Sequence, residues 1–245
     1  MKSVLDFGAA KSAGQKISMV TCYDAAFARV LEASQVDCIL VGDSAAMVMH
    51  GHPDTLAATV ELMALHTAAV RRGAPTRFLI TDLPFLSFRK GVPAALDAVA
   101  AMMRAGAQAV KLEGVAGHED VISAIAGSGV PVMGHLGLTP QSVNALAGYR
   151  VQGRSEDAAA RIVEDAKRLE ALGCFSIVLE CVPSALGARI TKAIGIPTIG
   201  IGAGAGCDGQ VLVLQDLLGL SGGHRPRFVR TYLDGAQAVR EAIDR

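Results

Sequence analysis

Seven residues able to do acid–base or metal chemistry fall at, or just after, short apolar runs of this sequence. Asp43 and Ser44 follow "CILVG", Asp82 ends "FLITD", Lys111 and Glu113 lie in "AVKLEG", His135 in "VMGHLG", and Glu180 in "SIVLEC". Taken singly, an Asp or Ser in such a place reads as readily as a turn residue or helix N-cap. Lys111 and Glu113 fit that reading poorly, because a charge inside an apolar strand needs a partner. Two positions apart, they point to the same side of a strand. Oxygen donors without a Cys or multi-His cluster favour a hard cation, Mg²⁺ before Zn²⁺. Asp43 and Asp82 could ligate it directly, and Glu113 could reach it through a water. An ion with open positions can chelate a 2-oxo acid, acidify the neighbouring C–H and stabilise the enolate. Glu180, closing an otherwise apolar run, is expected to be desolvated and to serve as the base, its pKa raised toward neutrality. The residue set suggests proton abstraction beside a carbonyl, followed by carbon–carbon bond formation.

Those residues need a scaffold that brings strand ends together. Eight apolar runs, at 17–23, 38–43, 77–84, 109–114, 130–137, 175–181, 197–204 and 211–216, alternate with Ala-rich segments of helical spacing. The helical segments are Ala25–Ser34, Thr59–Arg72, Val92–Arg104, Glu119–Ala126, Glu156–Leu172, Ser184–Ile194 and Gly235–Ile243. Gly106, Gly129, Gly173 and Gly195 follow helices and suit left-handed caps. Continuous apolar strands belong in a parallel sheet covered on both faces, so the pattern predicts a (β/α)8 TIM barrel, a single domain over 1–245. An open doubly wound sheet is the alternative, but its G-x-G-x-x-G marker is absent from the first βα turn. The barrel collects its functional groups at the carboxyl ends of the strands, where all seven residues lie. Two long insertions, 45–58 and 138–154, fall on that same face and read as lids or binding loops.

Composition narrows the class further. With 23 Lys plus Arg against 23 Asp plus Glu, there is no electrostatic case for nucleic acid or an anionic membrane. Five cysteines without a C-x-x-C pair argue against a disulfide framework or a structural zinc site and fit a reducing cytoplasm. The first residues lack an apolar h-region, and no 18-residue apolar stretch occurs, so a soluble protein is expected.

At these residues the sequence resembles the ketopantoate hydroxymethyltransferase family. The motifs carrying the resemblance are "LVGDSAAMVMHGH", "TLAATV", "HTAAVRRGAP", "TDLPF", "MRAGAQAVKLEG", "VMGHLGLTPQSVN", "GYRVQGR", "LECVP", "IGIGAG", "DGQVLV" and "GGHRPRF". The resemblance implies a Mg²⁺-binding (β/α)8 barrel. Its members transfer the one-carbon unit of 5,10-methylenetetrahydrofolate to 3-methyl-2-oxobutanoate, giving 2-dehydropantoate and tetrahydrofolate in pantothenate and coenzyme A biosynthesis. By motif, Asp43 and Asp82 resemble metal ligands near the substrate, with Glu113 the third metal-site carboxylate. Ser44 and Lys111 resemble the groups that hold the substrate carboxylate, Glu180 the proton acceptor, and His135 a neighbour of the new hydroxyl. A homo-oligomer is implied as well, a decamer in many members. The chain departs from the family pattern at Ala45–Ala46, Met49 and His50, and ends soon after its last helix.

Other features are set aside on the residues. His50 and His52 could ligate a metal but lack a third ligand nearby. "GIGAGAG" (200–206) reads as a tight turn before a phosphate cradle. Arg71, Arg72, Arg225, Arg227 and Arg230 read as solvated charge, and Met102 and Met103 as core filler. The rival readings are a phosphoenolpyruvate mutase/isocitrate lyase-like Mg²⁺–enolate enzyme, a Schiff-base aldolase using Lys111, and a noncatalytic metabolite-binding barrel. No KKCGH-like loop supports lyase chemistry, and a binding module needs no base at Glu180.

Overall fold

Runs of Val, Ile and Leu without polar alternation are stable only where both faces of a sheet are covered. In the computed structural model, which describes residues 1–221 and 226–245, eight such runs close into one parallel barrel. Arg225 and the start of "GGHRPRF" lie outside the described residues. The strands are β1 (Ile17–Thr21), β2 (Cys38–Val41), β3 (Phe78–Asp82), β4 (Ala109–Glu113), β5 (Val132–Gly137), β6 (Cys174–Glu180), β7 (Thr198–Ile201) and β8 (Gly209–Leu212). β8 pairs with β1 to shut the ring. The helices are α1 (Val4–Ser12), α2 (Ala25–Glu32), α3 (Ala45–Val48), α4 (Val60–Gly73), α5 (Val92–Arg104), α6 (Glu119–Gly127), α7 (Glu156–Ala171), α8 (Ser184–Ala193), α9 (Leu214–Leu217) and α10 (Gly235–Ile243). The expected (β/α)8 barrel is the architecture observed.

Side-chain caps start several of the helices. Asp24 accepts from the amides of Ala26 and Phe27, Thr59 from Leu62, and Ser155 from Ala158, each cap contributing about 1 kcal/mol. Two cores result from strand alternation. Leu79, Val110, Leu112, Ile177 and Leu179 face Met63, Val70, Met102, Ile122, Leu169 and Ile190 of the helices. Met19, Leu40, Phe78, Ile80, Met133, Val178, Ile199 and Val211 fill the barrel itself. Each fully buried side chain of this size contributes roughly 1.5–3 kcal/mol.

Four local features differ from the sequence reading. Helix α1 is absent from the sequence reading because no single apolar stripe runs along it, and in the structure its Leu5 is 79% exposed. Phe7 of this helix is fully buried, edge-on to Phe78 and Phe175 at 5.4 and 5.1 Å, and plugs the end of the barrel where the strands begin. The run "VLVLQD" splits into the end of β8 and α9, because the Leu214 amide donates to Thr21 Oγ1 at 3.0 Å. Gly106, Gly129 and Gly173 have positive φ, but Gly195 does not; its amide instead donates to Glu170 Oε1. Arg71 is no solvated charge. It donates to the carbonyls of Gly106, Ala74, Pro75 and Arg77 and to Gln108, tying α4 to the loops around it.

Helix α10 forms over the residues expected, and its Val239 and Ile243 are 51% and 78% exposed. A groove of about 940 Å³ lies on the wall over β8 and β1, lined by Ser18, Val20, Gln210, Leu212, Phe228 and Tyr232. Among the described residues no helix is long and apolar enough to cross a membrane.

Candidate active site

Strand register delivers the chemistry-bearing residues to one rim. Asp82 of β3 stands opposite Lys111 of β4, Glu113 opposite His135 of β5, and Gly137 opposite Glu180 of β6. Along β4, Val110 and Leu112 join the helix-facing core, which leaves Lys111 and Glu113 on the inner side, as their spacing required. Gly137 has φ +93°, and a Cβ there would overlap the carbonyl oxygen of Glu180. Glycine is what lets β5 pass so close to the turn that carries the acid. Cys181, immediately after Glu180, is itself held at φ +47°.

The side chains form a continuous charged cluster. Lys111 Nζ is 3.0 Å from Asp82 Oδ1 and 3.2 Å from His135 Nδ1. His135 Nδ1 is 3.4 Å from Glu113 Oε1, and its Nε2 is 3.2 Å from Glu180 Oε2. Asp82 Oδ2 accepts from the amide of Asp43 at 3.0 Å. Asp43, Asp82, Lys111, Glu113 and His135 are all buried. Glu180 differs: its side chain keeps 17% exposure. The strong desolvation expected at Glu180 falls instead on Asp43 and Asp82.

Electrostatics follow from that burial. Burial raises the Asp43 carboxyl well above the carboxylate range, and the charges of Asp82 and Glu113 add to it. Asp82 is raised by burial too, against the pull of Lys111. Burial works against charge on Lys111, yet Asp82, Glu113 and Asp43 outweigh it and hold the amine above an ordinary lysine. For His135, burial and Lys111 favour the neutral ring, but Glu113 and Glu180 prevail and bring its pKa to about 9. Glu113 flanks the ring at Nδ1 and Glu180 at Nε2, both within ion-pair distance. Lys111 lies between Asp82 and His135, within reach of both.

Four carboxyl groups share the site with only two basic side chains, and the raised Asp43 carboxyl reflects that crowding of acids. The buried oxygens Asp82 Oδ1 and Glu113 Oε1 have no well-directed hydrogen bond. An all-oxygen set short of positive charge fits a hard divalent cation of the Mg²⁺ type. Among the described residues, no three His, Cys, Asp or Glu side chains converge tightly enough to hold an ion unaided.

The remaining lining comes from neighbouring elements. Ser44 begins α3, and its Oγ hydrogen-bonds the buried hydroxyl of Tyr23 at 2.8 Å. Tyr23 follows β1; its hydroxyl pKa is raised by burial, with Asp82 and Asp43 adding to the effect. The Tyr23 carbonyl lies 2.6 Å from His66 Nδ1, and His66 Nε2 lies 2.9 Å from His50 Nε2. His50 thus pairs with His66, not with His52. Gln141, in the single helical turn Pro140–Ser142 of the second insertion, donates to Asp43 Oδ2 at 2.8 Å. Sequence reasoning missed Tyr23, His66 and Gln141; their only signals were the polar end of "ISMVTCY" and the length of the loop holding "LTPQS". The two insertions meet where the Tyr149 hydroxyl reaches Met47 Sδ, while Ala45 and Ala46 are fully buried in α3. In "GIGAGAG", Gly202 and Gly204 have positive φ and sit against Phe228 and Ser184, a tight turn with no room left over.

Comparison with known proteins supplies an independent line. Residues 2–245 match the family described as ketopantoate hydroxymethyltransferase. A 3-methyl-2-oxobutanoate hydroxymethyltransferase of Bdellovibrio bacteriovorus is 59% identical over 244 residues, covering 100% of this chain and 93% of the relative. In structure, the barrel is similar to a putative phosphonomutase from Burkholderia cenocepacia, with TM-score 0.72 at 15% identity and full coverage of both chains. It is also similar to a phosphonopyruvate hydrolase in complex with oxalate and Mg²⁺, with TM-score 0.67 at 12% identity, covering 100% of this chain and 85% of the other. At such identities the likeness shows the barrel alone.

Proposed function

We propose that this chain, which belongs to the ketopantoate hydroxymethyltransferase family, transfers the one-carbon unit of 5,10-methylenetetrahydrofolate to 3-methyl-2-oxobutanoate with Mg²⁺ in the barrel mouth. One water is consumed, and 2-dehydropantoate and tetrahydrofolate are released. The chain is an enzyme of that family. The observation carrying the reading is a cluster of three buried carboxyl groups, Asp43, Asp82 and Glu113, around Lys111 and His135, beside one acid, Glu180, that stays open to the mouth.

In this reading Asp43 and Asp82 would hold the cation, with Glu113 as the third acid of the metal site. A divalent ion held by these residues would supply Lewis acidity for the substrate ketone. Lys111, kept charged by its acids, and Ser44, oriented by Tyr23, hold the substrate carboxylate. Glu180 takes the proton from C3. His135, with Nε2 3.2 Å from Glu180 Oε2, orients that carboxylate and is assigned as the donor to the new hydroxyl. An ammonium held charged is a poor nucleophile, which weighs against a Schiff base at Lys111. We take residues 1–245 as one catalytic domain acting as a cytoplasmic homo-oligomer. The apolar groove over β8 and β1 and the exposed residues of α10 support a surface covered in the assembly.

The test follows deuterium exchange at C3 of 3-methyl-2-oxobutanoate in D2O by NMR, before and after folate is added. Wild type with Mg²⁺ exchanges, EDTA stops it, and Glu180→Gln slows it by about 10²–10⁴. Wild-type exchange in Glu180→Gln overturns the base assignment. Exchange without 2-dehydropantoate on folate addition would favour another Mg²⁺–enolate reaction on a 2-oxo acid.

A further inference from the structure

We propose that Gln141 is a positioning residue that couples cation binding in the barrel mouth to the order of the 138–154 loop, an inference resting on the divalent-cation reading above. Gln141 is 8% exposed and uses three donors on three different strand ends. Its backbone amide donates to Glu113 Oε2 at 3.0 Å. Its side-chain amide donates to Asp43 Oδ2 at 2.8 Å and to the Leu83 carbonyl at 2.9 Å. Both side-chain partners are acceptors, so only the NH2 group can face them, and the amide has one orientation. With Oδ2 of Asp43 and Oε2 of Glu113 engaged, the second oxygens of both acids remain for an ion or its water. Glu113 Oε1 has no hydrogen bond of its own.

The loop has few other anchors. Its ends are tied to the turn carrying Glu180, through the Leu138 amide to the Glu180 carbonyl at 2.8 Å and the Gln152 amide to the Cys181 carbonyl at 2.9 Å. Between these, Gln141 is the buried side chain that reaches into the charged cluster, while Tyr149, Arg150 and Arg154 are exposed. A cation drawing on the free oxygens of Asp43 and Glu113 would fix the orientation of both carboxyl groups, and with it the two acceptors that hold Gln141. By linkage, an ordered loop then strengthens the ion's hold by the same factor.

The probe is Mn²⁺ alone, titrated into the intact protein and read as loss of the free-ion EPR signal. In parallel, trypsin cleavage at Arg150 and Arg154 is timed with and without Mn²⁺. Wild type is expected to bind Mn²⁺ and to be cleaved more slowly when it is bound. Gln141→Leu, shown to be folded by circular dichroism, is expected to lose 10–100-fold in Mn²⁺ affinity and to be cleaved at one rate in either condition. Gln141→Asn, one methylene short of Asp43, gives the same comparison should the Leu variant misfold. Equal Mn²⁺ affinity in wild type and a folded variant overturns the role of Gln141. Wild-type binding with no change in cleavage overturns the coupling. No binding by wild type overturns the cation reading itself.

Discussion

Replacing Lys111 by Met keeps most of the side chain's length and removes its charge, leaving Asp82 buried beside Asp43 and Glu113. Lys111 Nζ is 3.0 Å from Asp82 Oδ1, with 5% and 4% of the two side chains exposed. Breaking such a buried pair from one side costs about 3–5 kcal/mol. Protonation sets a ceiling on that loss. For a carboxyl of ordinary pKa 3.8, taking up a proton at pH 7 costs about 4 kcal/mol, and at pH 5 about 1.6 kcal/mol. The orphaned acid has a folded pKa above its unfolded one, so its destabilisation is absent well below pH 3.8 and grows as pH rises. Metal-free Lys111→Met should be less stable than wild type by about 3–4 kcal/mol at pH 7 and by about 1.5 kcal/mol at pH 5. Excess Mg²⁺, supplying the missing charge, should recover part of the loss. Urea unfolding at fixed protein concentration, at both pH values, in EDTA and in Mg²⁺, measures each quantity. A loss equal at both pH values and untouched by Mg²⁺ would mean that Lys111 stabilises by packing, and the charge argument would be wrong.

Two further outcomes are expected. Gly137→Ala forces a side chain into φ +93° and onto the Glu180 carbonyl; it should cost about 2–4 kcal/mol and slow C3 exchange by displacing Glu180, whereas an unchanged melting curve would show that β5 has slack there. Burial pushes the thiols of Cys22 and Cys181 up to about 11 and about 12, Glu180 adding to the second. Native protein at pH 8 should thus label negligibly with iodoacetamide, the Cys181 thiolate fraction being roughly 10⁻⁴, while urea-unfolded protein labels readily. Because these folded pKa values lie above the ordinary 9.0, the thiols cost no stability below pH 9 and increasingly destabilise the fold as pH rises toward 11 and 12. Rapid labelling of folded protein at pH 8 would contradict this.

The barrel was legible because its signals are local. Runs such as "CILV" and "AVKLE" are buried at every position, which only a parallel sheet with two covered faces accommodates, and the helices between them carry their own caps. The charged strand ends were legible for the converse reason: an amine and a carboxylate two apart in "VKLE" have no structural excuse without a partner. Helix α1 escaped notice because Phe7 earns its burial from Phe78 and Phe175, distant in sequence, and not from any periodicity of its own.

By itself, then, the sequence determined the βα rhythm, the rim on which Asp43, Ser44, Asp82, Lys111, Glu113, His135 and Glu180 gather, and the family. The tertiary structure alone decided which of them meet. Register set Asp82 against Lys111 and Glu113 against His135, and the long loop brought Gln141 onto Asp43. The return of α4 placed His66 behind Tyr23. It also decided the division of burial, closing water off from Asp43 while leaving Glu180 open. Pairing and desolvation depend on strand register, loop path and barrel closure, which are properties of residues far apart in the chain and leave no mark on the pattern of any one segment.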